Sequence, residues 1–196
     1  MQNTYLIIQI KLLLHLQKQK KKMKKIFMLV FAALAITSCG EKKKEAVLEF
    51  TLTYDELAHM CPPTTNVIKV DNAHSGQYVM QTDSLNVYSQ TFIGTMGDVS
   101  KMAFSTITLT GFVKAKSTLS NGAMVVSIED GQGNHFDYGS VTCKQTVKEI
   151  GVWTPFTLTV PLKKESMNPN NIVKIYGWNY DSKDATYFDD VTYTFN

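Results

Sequence analysis

The sequence predicts an all-β domain, a β-sandwich spanning residues 46–196, on three observations. Short runs of strictly alternating apolar and polar residues recur along this stretch. Gly, Asp, Asn and Ser separate them as turns, and no segment keeps a helical period for more than a turn or two. With 44% hydrophobic and 11% aromatic residues, a domain of this length can fill a proper core.

Taken in order, residues 47–54 alternate Val, Glu and Thr against Leu, Phe and Tyr, as a first strand does. Residues 55–60 suit a helical turn, which Pro62 and Pro63 forbid from continuing. Strands are expected at 66–70, 78–82 and 85–92, with a polar loop at 71–76 and a glycine-containing loop through Gly94 and Gly97. Residues 106–116 form a long strand with Ile107, Leu109, Gly111 and Val113 on a core face and Phe112 and Lys114 on the other. Residues 124–129 and 135–140 make a hairpin around Asp130-Gly131-Gln132-Gly133-Asn134. Phe156, Leu158, Val160 and Leu162 carry the next strand, introduced by Trp153 and Pro155. Two last strands, 172–180 and 187–195, flank a polar turn at 181–186.

The first forty or so residues do not read as part of the domain. Lys24 and Lys25 precede an apolar run at 26–36, a charged n-region and a signal-peptide h-region too short to span a bilayer. The run ends in Ile36-Thr37-Ser38-Cys39-Gly40, which resembles the lipobox of bacterial lipoproteins and implies lipidation at Cys39. Residues 23–38 are then the signal peptide, residues 1–22 an over-extended start upstream of Met23, and residues 39–45 a charged, solvated tether. The implied location is the outer membrane of a bacterium, on the periplasmic face or the cell surface, with the membrane as a partner through the lipid anchor.

Processing at Cys39 reverses the sign of the chain. The full sequence has a formal charge of +3, but seven of its 20 basic residues lie before Cys39, leaving 13 lysines against all 17 acids, or −4. Arginine is absent throughout. A mildly acidic surface without arginine argues against nucleic acid as a partner. Cys61 and Cys143 remain in an oxidising compartment, either bridged or as separate buried thiols.

Six segments in series resemble carbohydrate-binding modules of the galactose-binding-like jelly-roll type: 72–78, 111–115, 126–130, 153–156, 174–179 and 187–191. The resemblance is one of order and spacing over residues 71–195. It implies a jelly-roll β-sandwich and carbohydrate binding, although the same fold serves adhesin modules and domains appended to enzymes. It also implies a structural Ca2+ held between an early loop and the start of the last strand, which suggests Asp189 and Asp71 as ligands. By parity with Val191, Tyr193 and Phe195, Asp189 should point inward, where a charge needs a cation or several donors; capping of turn amides by Asp189 is the alternative.

Sugar recognition uses flat apolar rings to stack on pyranose C–H faces and planar polar groups to reach hydroxyls. If Val173 and Ile175 are core, Lys174, Tyr176 and Trp178 share the opposite face, with Glu129 and Ser127 off-core by the same rule. Trp178, Tyr176, Glu129, Lys174 and Tyr138 are therefore the candidate carbohydrate-binding residues. His135 and Asp137 accompany Tyr138 as a second rim. If both faces are covered, one by the partner sheet and one by loops, the rings merely pack.

Enzyme signatures are lacking in the sequence. Glu129 and Asp130 are adjacent and face opposite ways, and no nucleophile elbow, phosphate loop or metal-ligand helix occurs. The sequence thus points to a non-catalytic glycan-binding envelope lipoprotein. A structural or adhesin-like lipoprotein with a protein partner and no sugar site is the alternative.

Overall fold

In a computed structural model, residues 48–60, 66–89, 92–99 and 104–196 are described. The expectations for residues 1–22, 23–38 and 39–45, with the lipidation of Cys39, lie outside them, as does Cys61. Cys143 is a free, buried thiol.

Among the described residues, ten strands form two antiparallel sheets. They are β1 (Leu48–Leu52), β2 (Val67–Lys69), β3 (Tyr78–Thr82), β4 (Phe92–Thr95), β5 (Thr106–Ala115), β6 (Ala123–Glu129), β7 (His135–Thr142), β8 (Thr154–Pro161), β9 (Ile172–Trp178) and β10 (Thr186–Phe195). The larger sheet runs β2-β3-β10-β5-β8, with β1 also on β10, and the smaller runs β4-β9-β6-β7. Every pairing between named strands is antiparallel. The architecture is an all-β jelly-roll sandwich, as the sequence predicts. Short helical turns α1 (Tyr54–Met60), α2 (Met96–Val99) and α3 (Cys143–Thr146) join strands.

Period-two alternation fills the space between the sheets. Ile107, Leu109 and Val113 of β5, Phe156 and Val160 of β8, and Val191, Tyr193 and Phe195 of β10 meet Val126 and Ile128 of β6 and Val173 and Ile175 of β9 in one buried cluster. Tyr54, expected as a strand residue, begins α1 and is buried in the same cluster.

Three further expectations are corrected. The expected strand at 85–92 is not one continuous strand among the described residues: the Asp83 carboxylate accepts from the amides of Leu85 and Asn86 at 2.8 and 2.7 Å and bends the chain, Tyr88 forms an isolated antiparallel bridge to Trp178, and β4 begins at Phe92. Gly94, expected in a loop, belongs to β4.

The third correction concerns Asp189. The register of β10 with β5 shifts between Asp189 and Thr192, and Asp190 has φ +49°. This bulge breaks the parity on which the inward direction of Asp189 depended. Phe188 pairs with the core residue Val113, so Asp189 falls opposite Phe112, on the side away from the core. The bulge lies where β10 exchanges one neighbour, β3, for another, β1.

Candidate functional site

Strand β9 alternates as its sequence predicts: Val173 and Ile175 are buried, while Lys174, Tyr176 and Trp178 are partly exposed on the outer face of the smaller sheet. Register with β6 sets Ser127 opposite Lys174, Val125 opposite Tyr176 and Ala123 opposite Trp178. Ala123 and Val125 are wholly buried but stand apart from the inter-sheet core, as floor residues beneath the rings do. Small side chains there let the large rings lie low, half covered and half presented.

The aromatic row extends beyond the residues that the sequence singled out. Tyr88 bridges to Trp178 and sets its ring edge-on to Tyr176, with centroids 5.9 Å apart. Tyr180 meets Trp178 at 5.1 Å with the planes at 89°. Tyr88 is 61% exposed and Tyr180 51%. Tyr180 was within reach of sequence reasoning, since it continues the parity of Tyr176 and Trp178; Tyr88 lay in the misassigned segment. Ile93 of β4, opposite Lys174, adds another exposed apolar side chain.

On the far side of β6, Tyr138 pairs with Ser127 and is exposed. Burial raises the hydroxyl pKa of Tyr176, and Tyr138, Tyr88 and Glu129 add to the rise. The Glu129 carboxylate is buried and ion-paired with the Lys174 ammonium. His135 Nδ1 shares a hydrogen bond with Ser127 Oγ at 2.9 Å and lies 3.9 Å from Glu129. All five predicted binding residues therefore lie on one face. Asp137 does not join them: it pairs with the core residue Ile128 and is buried, accepting from the Lys163 amide at 2.8 Å and from the Ser166 hydroxyl.

These contacts do not make a Ser-His-carboxylate relay. A Ser-His-carboxylate relay places hydroxyl and carboxylate on different imidazole nitrogens. Here Ser127 and Glu129 both approach Nδ1, and Ser127 is 1% exposed.

The residues suggested for calcium form a separate cluster over the outer face of the larger sheet. Asp189 Oδ2 accepts from the amides of His74 and Ser75 at 2.9 and 3.1 Å, and Oδ1 from that of Asp190 at 2.8 Å. Burial raises the Asp189 pKa, and these amides oppose the rise. Asp190 binds the Ser75 hydroxyl at 2.6 Å and His74 Nδ1 at 2.7 Å, while the His74 ring stacks on Phe112 at 3.5 Å. Asp71 is an exposed turn residue. Among the described residues no group of three or more His, Cys, Asp or Glu side chains is arranged to hold a metal ion. Donors already point at the carboxylate that calcium would need, so these residues do not fit the ion.

The chain matches no protein-family model and no curated protein. Among solved structures it is similar to the CBM22-1 xylan-binding domain from Paenibacillus barcinonensis Xyn10C, at 15% identity and TM-score 0.45, covering 80% of this chain and 97% of that one. The CBM22-2 xylan-binding domain of the same protein is 14% identical at TM-score 0.45, over 75% of this chain and 99% of that one. An arabinose-bound GH51 α-L-arabinofuranosidase is 15% identical at TM-score 0.44, over 66% of this chain. The chain spans only 21% of that enzyme's length.

Proposed function

We propose that the protein binds carbohydrate without cleaving it, on the outer face of the smaller sheet. One observation carries this reading: Tyr88, Tyr176, Trp178 and Tyr180 form a partly exposed aromatic row of two edge-to-face pairs beside the Lys174–Glu129 pair. Rings in such a row offer stacking surfaces to successive sugar units, and the flanking charged and hydroxyl groups of Lys174, Glu129 and Tyr138 reach their hydroxyls. The Ile36-Thr37-Ser38-Cys39 segment supports a lipid anchor at Cys39 and hence display at a bacterial outer membrane. A glycan array probed with the purified protein tests the reading. Binding to a defined glycan class, weakened in Trp178→Ala, is the expected result; an array without a single responding glycan overturns it.

A further inference from the structure

We propose that the Lys114 ammonium is this domain's built-in cation, standing between the loop at 71–76 and the last strand in place of a divalent ion. Lys114 lies on β5 beside Tyr187 of β10, facing away from the core, yet it is only 5% exposed because that loop closes over it. A buried ammonium needs its three N–H donors satisfied. Two go to one residue: Nζ donates to the Asn72 carbonyl at 2.8 Å and to Asn72 Oδ1 at 2.9 Å. Those are the two oxygens with which an asparagine would chelate a metal. The rest of the charge meets aromatic faces, with the Trp153 ring centroid at 4.4 Å and that of Tyr187 at 5.4 Å.

The surroundings are tied to the same point. Trp153 Nε1 donates to the same Asn72 carbonyl at 2.9 Å, so the loop before β8, the loop after β2 and strand β5 meet at one oxygen. Two residues further along, the loop gives its His74 and Ser75 amides to Asp189, so the anion and the cation hold the same short segment at neighbouring points. A hard divalent cation takes six or more oxygen ligands. Here the Asn72 oxygens accept from Lys114 and Trp153, and the Asp189 oxygens accept from amides. A lysine side chain performs the tethering permanently, independent of the calcium outside the cell.

The test is thermal unfolding of the purified protein with excess chelator and with millimolar calcium chloride, paired with amide hydrogen exchange on Lys114→Met. A ligand that binds only the native state raises the midpoint with its concentration. The expected midpoint is the same in chelator and in calcium, and the variant should exchange the His74 and Ser75 amides faster than the wild type. A wild-type midpoint that climbs with calcium overturns the proposal, as does a variant whose loop amides keep wild-type protection. Should Lys114→Met fail to fold, calorimetric titration of the wild type with calcium decides alone: heat of binding overturns the built-in cation, and its absence upholds it.

Discussion

Tyr88 meets Tyr176 edge-on, at 5.9 Å between centroids and 62° between planes, so a loop residue and a strand residue build one apolar surface. Edge-to-face pairing is one of the favoured arrangements of two aromatic rings. Trp178 then carries the row on to Tyr180. The Trp178 ring is partly exposed over Ala123, and its truncation separates the two roles a ring can have. Trp178→Ala should weaken retention on a responding glycan about tenfold, the equivalent of roughly 1.4 kcal/mol. Its unfolding midpoint should move little. A stability loss of about 3–5 kcal/mol, the range for a core aromatic, would make the ring a packing residue and end the platform.

The Lys174–Glu129 pair should respond asymmetrically. Glu129's side chain is 11% exposed and Lys174's 34%, so the carboxylate depends on the pair more than the ammonium does. Lys174→Met strands a buried charge, at a cost of about 1–2 kcal/mol after discounting for solvent at the lysine. Glu129→Gln leaves an amide that can still bond, and should cost less. Urea midpoints of the two variants check the order; equal losses would show that the pair contributes nothing beyond packing.

Alternation alone was enough to place the face. Once Val173 and Ile175 are core, period two puts Lys174, Tyr176 and Trp178 outward, and antiparallel register brings Glu129 and Tyr138 beside them. A bulge is invisible to that rule. The extra residue at Asp189–Asp190 leaves Val191 in the core and carries Asp189 to the other side, and no residue type there announces it, since Asp190 takes a positive φ without being glycine. Tyr88 escaped for a similar reason: Leu85-Asn86-Val87-Tyr88 alternates like a strand, but the carboxylate of Asp83 turns the chain first. The cage around Lys114 joins residues 42 positions apart in one hydrogen bond and 81 in another, beyond any local pattern.

Gly122 and Gly177 separate a rigid approach from a yielding one. A Cβ on Gly122 would lie 2.4 Å from Thr82 Oγ1 and 2.8 Å from Thr186 Cβ, both short β-branched side chains held in strands. On Gly177 the nearest atom would be the terminal methyl of Met80 at 2.7 Å, the far end of a flexible chain, with Ser89 Oγ next at 2.9 Å. Gly122→Ala should therefore cost about 1–3 kcal/mol by overpacking and Gly177→Ala less. Denaturant midpoints for the two variants check this, and a Gly177→Ala loss equal to or above that of Gly122→Ala contradicts it.

Two buried aspartates should shape the acid limb of stability in opposite directions. Burial pushes the Asp137 carboxyl up, but the Ser166 hydroxyl, the Lys163 amide and the Lys163 ammonium at 3.5 Å outweigh it and hold its pKa below the ordinary 3.8. At Asp189 burial prevails over the amides, and the pKa is raised. For Asp137 the unfolded chain binds the proton more readily, so its contribution is fully present above the unfolded pKa and is lost as pH falls through the folded one. For Asp189 the folded chain holds the proton longer, so stability declines as pH rises from the unfolded pKa through the raised folded value. Melting curves from pH 7 down to the acid transition should show Asp137→Asn losing its deficit relative to wild type below about pH 4, near the ordinary aspartate value. Asp189→Asn should compare more favourably with wild type at pH 7 than at pH 3. Parallel curves for wild type and Asp137→Asn throughout would mean that the Lys163 and Ser166 contacts do not favour the ionised carboxylate.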